Sequence, residues 1–395
     1  MRILKVIHGF PPDYMAGSEV YSYHLVKELL NQNIETFVFT RVENEFDEHY
    51  KVYNEVFEDI NIQRINKPRR DYLYQDKFYD VSIDKIFRDY LRKTDPDMVH
   101  FGHLSHLSTD LIKIVKEFNL PVVFTIHDFW LFCVKGQMIN ELGQICPGPS
   151  VENCTKCSPY VVEKDEVRRT LKHMQEVVDL IDVFVSPSNT LKDFFIAQGV
   201  HEDKIKYLKY GFNTEKISFK RKIFQQDSKI NFGFMGRVIP TKGVKVLVDA
   251  FKRLPNESLS IYGSIGVQKR FLETNNIKFK GGYDNNTINA VLGDIDVLIV
   301  PSTWYENAPL VIQEAFLAGI PVITSNLGGM KELVIDQVTG FTFEAGDQDD
   351  LIRVIQQISE DPTILNNLQS CRESVIDIRD DIKELTEIYK GLIKS

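Results

Sequence analysis

Pro301-Ser302-Thr303-Trp304-Tyr305-Glu306-Asn307-Ala308-Pro309-Leu310-Val311-Ile312-Gln313-Glu314-Ala315 is the stretch that decides how this 395-residue chain reads. The run before it, Asp296-Val297-Leu298-Ile299-Val300, is apolar and of strand length. Turn residues begin at Pro301. Asn307 is a helix-capping type, and Pro309 suits a first helical turn, where a missing N–H does no harm. The stretch therefore predicts a strand, a loop carrying Glu306, and a helix carrying Glu314 in its second turn. A helical rise of about 1.5 Å per residue places the two carboxylates on the order of 10 Å apart. Between them lie the free N–H groups and positive dipole end of the helix opened by Asn307, Ala308, Pro309, Leu310 and Val311, an anion site. Hydroxyls at both ends and phosphate between them describe the ligand that fits. A nucleotide-sugar has that form.

These residues resemble the glutamate-x7-glutamate motif of retaining glycosyltransferases of family 4. The likeness runs on through Ala318-Gly319-Ile320-Pro321-Val322-Ile323-Thr324 and Gly328-Gly329-Met330-Lys331-Glu332 to Gly340-Phe341. It covers nearly the whole chain and is sharpest from 229 to 345. The resemblance implies a GT-B fold, two Rossmann-like domains facing an interdomain cleft. It also implies transfer of a sugar from a UDP- or GDP-sugar, with retention, to a glycan or lipid-linked acceptor. Bacterial surface-polysaccharide synthesis is the setting by analogy alone.

Length and composition agree with that class. A chain of 395 residues exceeds what one core usually serves. No apolar run approaches the roughly 20 residues that span a bilayer. Met1-Arg2-Ile3-Leu4-Lys5-Val6-Ile7-His8 lacks the features of a signal peptide, so the expected location is cytoplasmic. The net charge is −9, with −7 in residues 1–215 and −2 in 216–395, so neither half has the basic excess of a nucleic-acid binder. Local basic groups, Lys67, Arg69 and Arg70, then Lys85, Arg88, Arg92 and Lys93, read mostly as solvated faces. Their other reading is peripheral contact with an anionic membrane face or a lipid-diphosphate acceptor.

Strand-like and helix-like segments alternate throughout, the pattern of α/β layers. Strands are expected at Ile3 to Ile7, Glu35 to Thr40, Met98 to Phe101, Val122 to Ile126, Val183 to Val185 and Lys229 to Met235, with a helix from Glu19 to Asn31. Polar, aperiodic Thr214 to Ser228 is the linker candidate. The expected division is an acceptor-side domain over 1–213, a donor domain over 214–375, and a final helix over 376–395 returning to the first domain.

Gly236-Arg237 after a strand, then Lys242-Gly243, resembles the family's Gly-Arg…Lys-Gly signature, in which the cations hold the donor diphosphate. The physical reason is independent: charge grows on the leaving diphosphate, and fixed cations stabilise it. Gly9 to Glu19 resembles the family's Pro-Pro…Gly-Gly-x-Glu loop, with Gly17 kept and Ser18 replacing the second glycine. It still opens a helix. His127 in Thr125-Ile126-His127-Asp128 stands at a strand end, and the resemblance places it near the donor sugar or acceptor. His100 in Pro96-Asp97-Met98-Val99-His100 matches a further family pattern, and reads as a loop histidine with His103 and His106 rather than a metal ligand. Gly263, Ser264, Gly282 and Tyr283 follow strands where the base should bind.

The catalytic set is therefore Glu306, Arg237, Lys242 and His127. No acidic pair ends a strand as a catalytic metal site would, so transfer without a catalytic metal is expected. Cys133, Cys146, Cys154 and Cys157 fall together, the last two as Cys-x2-Cys. Structural zinc, free or redox-sensitive thiols, and a disulfide all remain open for them. Two other functions compete with a transferase: a non-catalytic nucleotide-sugar-binding subunit, and another GT-B enzyme such as a phosphorylase or epimerase. A glycoside hydrolase is weaker, since its carboxylates stand about 5–9.5 Å apart.

Overall fold

The computed structural model describes residues 1–69, 73–158, 162–264, 274–284 and 286–394; Arg70 lies outside them. The chain forms two compact units, Met1–Phe212 with Asp377–Ser395, and Asn213–Ile376.

The first unit is built on eight strands: β1 (Arg2–Ile7), β2 (Glu35–Val42), β3 (Val52–Phe57), β4 (Ile60–Asn66), β5 (Met98–His103), β6 (Val122–Thr125), β7 (Val183–Ser186) and β8 (Ile205–Tyr207). Their order is β3-β4-β2-β1-β5-β6-β7-β8, and every pairing is parallel except β3 with β4. The parallel strands are buried on both faces, which is why they read as short continuous apolar runs. The β3–β4 hairpin turns at Glu58 and Asp59, both with positive φ (46° and 68°). That conformation suits a tight two-residue hairpin turn. No Asn-Gly or Asp-Gly signals it, and the strands are half polar, so this hairpin was not among the expected elements.

The C-terminal helix, Ile378–Ile393, packs on the Gly17–Asn31 helix within this unit. Asp377 caps it by accepting from the Arg379 N–H. It buries Ile382, Leu385 and Tyr389 completely. The Tyr389 hydroxyl meets His100 Nδ1 at 2.6 Å, and Asp381 accepts from the Gly211 N–H at 2.8 Å.

The second unit has six parallel strands: β9 (Asn231–Met235), β10 (Ser258–Tyr262), β11 (Ile277–Gly281), β12 (Val297–Val300), β13 (Val322–Ser325) and β14 (Phe341–Phe343). Their order, β11-β10-β9-β12-β13-β14, is the 3-2-1-4-5-6 arrangement of a Rossmann sheet. One core cluster includes Phe232, Leu247, Phe251, Ile299, Ile323, Leu351 and Ile355. Truncating a ring such as that of Phe251 costs about 3–5 kcal/mol. The order reverses between β9 and β12, so the carboxyl ends of these two strands border the crevice in which such sheets bind ligands.

Thr214 to Ser228 is not a free tether. Phe224 lies in the second unit's core, Arg221 donates to the carbonyls of Asn366 and Leu368, and Lys222 pairs with Asp296 at 2.6 Å. Its lack of periodicity reflects extended chain laid across a surface, a pattern with no sequence signature of its own.

Candidate active site

β9 runs out at Met235 into Gly236 and Arg237, and β12 at Val300 into Pro301. The loops that follow are stitched together, with the Thr303 N–H donating to the Thr241 carbonyl at 3.0 Å. Gly243 makes this approach possible. Its φ is +69°, and a Cβ there would lie 1.7 Å from the Pro301 carbonyl oxygen. A Cβ on Gly263 would likewise lie 1.7 Å from the Gly236 oxygen, so the ends of β9 and β10 also meet backbone to backbone.

This close seam brings Lys242 to Glu306. The ammonium lies 2.5 Å from Glu306 Oε1, which also accepts from the Ser302 hydroxyl and the Trp304 indole N–H, each at 2.8 Å. Glu306 is 8% exposed, so its charge depends on these donors. The Lys242 ammonium also stands 5.8 Å from the centre of the Trp304 ring. Arg237 is exposed at the end of β9.

The helix after this loop spans Leu310–Ala318 and begins two residues later than expected. Pro309, not Asn307, occupies the N-cap position, with φ −63° and ψ 115° and no side-chain cap bond. A proline N-cap lacks a side-chain acceptor, so the first helical N–H groups are left to other partners. Asn307 is buried within the loop, while Ala308, Leu310 and Val311 keep partial exposure. Glu314 sits in the second turn of this helix. Burial pushes its carboxyl up from the usual range to about 7. The same burial, with the nearby Glu314 carboxylate, raises the Tyr283 hydroxyl. Gly263 is buried, whereas Ser264 and Gly282 are exposed at strand ends on that sheet.

In the first unit the order reverses between β1 and β5, and polar side chains gather there. His8 Nε2 lies 3.2 Å from Glu19 Oε1, and the Ser18 hydroxyl donates to Glu19 Oε2 at 2.7 Å. Burial pushes Glu19 up, but these bonds and the His8 charge hold its carboxyl down at about 2. Gly17 and Ser18 open the Gly17–Asn31 helix, capped at Ala16 without a side-chain bond. His127 follows β6, with its Nδ1 bonded to the Tyr210 hydroxyl. Burial, then the nearby Lys5, keeps it well below the ordinary histidine range, so it is neutral near pH 7.

His100 is not a loop residue. It lies inside β5, fully buried between Tyr389 and Thr125, and serves the fold. Sequence reasoning also missed Lys5, fully buried in β1, and the His103–Asp128 pair at 3.4 Å. An ionisable residue in the middle of an apolar strand was the available signal for Lys5.

Cys133, Cys154 and Cys157 are buried and Cys146 is half-buried; all four are free thiols. Among the described residues no three His, Cys, Asp or Glu side chains are placed to share a metal ion. The Cys146 thiol points to the Gly148 carbonyl at 3.4 Å, and the Cys157 thiol to the Ile139 carbonyl at 3.8 Å. Burial pushes the Cys154 thiol up to about 11, with the other three cysteines contributing.

Residues 15–216 match the model of Glycosyltransferase Family 4, and residues 215–375 that of Glycosyl transferases group 1. The chain belongs to glycosyltransferase family 4. Among its family relatives, a Klebsiella pneumoniae protein described as an uncharacterized 42.6 kDa protein in the cps region is 22% identical, over 84% of this chain and 87% of its own. The Escherichia coli UDP-Gal:alpha-D-GlcNAc-diphosphoundecaprenol alpha-1,3-galactosyltransferase is 26% identical, over 78% of this chain and 77% of its own. Anabaena HepE, solved with UDP and glucose, superposes with a TM-score of 0.68 at 18% identity, over 99% of this chain and all of its own. The fold is GT-B, two Rossmann-like domains, and the activity is that of a glycosyltransferase.

Proposed function

We propose that this glycosyltransferase moves a sugar, with retention of configuration, from a UDP- or GDP-sugar to a glycan or lipid-linked acceptor in bacterial surface-polysaccharide synthesis. One observation carries the reading: the Lys242 ammonium and the Glu306 carboxylate meet where β9 and β12 end. A cation for phosphate and a carboxylate for hydroxyls stand side by side, as the reacting end of a nucleotide-sugar requires.

In this reading Arg237 and Lys242 face the diphosphate, whose negative charge grows as its bond to the sugar breaks. The positive end of the Leu310–Ala318 helix adds to them. Glu306 accepts from a sugar hydroxyl and Glu314 from the ribose hydroxyls. The first unit supplies the acceptor side, with neutral His127 as a hydrogen-bonding group. The departing phosphate oxygen takes the proton of the acceptor hydroxyl as the new bond to the anomeric carbon forms on the same face. This step needs no catalytic metal, because the cations are protein groups. The cps-region relative and the E. coli enzyme, whose name carries a lipid diphosphate, support the acceptor class.

The test is a thermal-shift screen of UDP-, GDP- and ADP-sugars, followed by NMR of the product anomer with a chelator present. Stabilisation by one donor and a product that keeps the donor's anomeric configuration are expected. Binding without transfer to any acceptor would favour the non-catalytic subunit. An inverted product would refute retention, and inactivation by the chelator would refute metal independence.

A further inference from the structure

We propose that Trp304 is a positioning residue whose indole N–H, together with the Ser302 hydroxyl, holds the Glu306 carboxylate in place when Lys242 turns to the donor diphosphate. This inference rests on the donor reading given above.

Three described hydrogen bonds converge on one oxygen, Glu306 Oε1: from Lys242 at 2.5 Å, and from Ser302 and Trp304 at 2.8 Å each. The three donors are not equivalent. Lys242 sits on a flexible stem, 23% exposed at its side chain, and is the group assigned to phosphate. A diphosphate carries more charge than a carboxylate and competes for that ammonium. Ser302 and Trp304 belong to the same short loop as Glu306, four and two residues before it, and Ser302 is fully buried. Neither can follow the phosphate. When Lys242 shifts, a carboxylate only 8% exposed would otherwise lose its charge-assisted partner just as an anion arrives beside it. The indole and hydroxyl keep it hydrogen-bonded and aimed. The Trp304 ring has a second use. With Lys242 Nζ 5.8 Å from its centre, its face offers the ammonium a cation–π contact away from Glu306, a resting point between two anions.

The chain has two tryptophans, Trp130 and Trp304, so heteronuclear NMR shows two indole N–H signals, and Trp304→Phe assigns them. In the ligand-free protein the Trp304 signal should move in Glu306→Gln. It should move again when UDP or GDP is added. In Lys242→Ala it should already lie near the nucleotide-bound position. In turnover, Trp304→Phe keeps the ring and loses only the donor. It should lower kcat by about 10- to 100-fold, the worth of one hydrogen bond to a charged group, with donor KM little changed. Ser302→Ala should act in the same direction, and it serves if Trp304→Phe does not fold. A Trp304 signal indifferent to Glu306→Gln, or a Trp304→Phe enzyme with wild-type kcat, would overturn the proposal. A signal that responds to Glu306→Gln but to no nucleoside diphosphate, in a protein that transfers no sugar, would instead overturn the donor reading and remove this role with it.

Discussion

Glu314→Gln should make the second unit more stable and the enzyme a weaker nucleotide binder, and both effects should grow with pH. The carboxyl is raised from 4.5 to about 7 by burial alone. Between those values the folded protein holds a proton that the unfolded chain has released, so stability falls as pH rises through this window and levels off above it. A tenfold change in proton affinity is worth about 1.4 kcal/mol. Charging Glu314 near pH 8 therefore costs on the order of 3 kcal/mol, against under about 1 kcal/mol near pH 5. Glutamine fills the same space without that cost. Chemical denaturation of wild type and variant in a Trp130→Phe background, followed by Trp304 fluorescence, reads the unit that holds Glu314. The stability gap should widen by on the order of 2 kcal/mol between about pH 5 and pH 8. Calorimetric titration with UDP and GDP should show the opposite ranking at about pH 8, the variant binding roughly 10- to 100-fold more weakly, because an ionised acceptor of the ribose hydroxyls is gone. A gap that does not change with pH would refute the buried, proton-holding carboxyl. Unaltered nucleotide affinity near pH 8 would refute its role on the ribose.

Three further outcomes are expected. Arg237→Ala and Lys242→Ala should each cut turnover by roughly 10²–10³ while leaving melting temperature nearly unchanged, since each cation faces charge that grows in the transition state; near-normal kinetics in both would remove the diphosphate assignment. Glu306→Gln should spare binding of the bare nucleoside diphosphate but depress transfer, and calorimetry showing equal loss of UDP or GDP affinity in Glu306→Gln and Glu314→Gln would sink the two-ended grip. Elemental analysis and thiol titration address Cys133, Cys146, Cys154 and Cys157: free thiols there predict five titratable groups on unfolding, Cys371 included, and no bound zinc, and about one zinc per chain with protected thiols in the folded protein would reverse that.

The fold was legible where strands are buried on both faces, because β1, β6, β7 and β12 then appear as short apolar runs between turn residues. The β3–β4 hairpin was not, since it lies at the sheet edge, is half polar and turns through Glu58 and Asp59. At the site, the residue types and their spacing in the loop after β12 were visible. The contact between Lys242 and Glu306 was not, as it spans 64 positions and exists only because β9 lies beside β12. The helix start was misplaced by the capping preference of Asn307, which tertiary packing overrides by burying it within the loop. His100 shows the same limit: a histidine at a strand end and one inside a strand look alike until the neighbouring Tyr389, 289 positions away, is in place.

The first unit takes its last helix from residues 377 onward, after the 164 residues of the second unit have passed. On a ribosome adding about 5–20 residues per second, the first sheet waits roughly 8–30 seconds for that helix. During the wait, the face of the Gly17–Asn31 helix that meets it, the Nδ1 side of His100 and the Gly211 N–H lack the partners that this helix brings. The second unit is contiguous and has no such delay. Synthesis thus imposes an order in which the later-encoded unit closes first, and the nascent first unit is the form most in need of a chaperone.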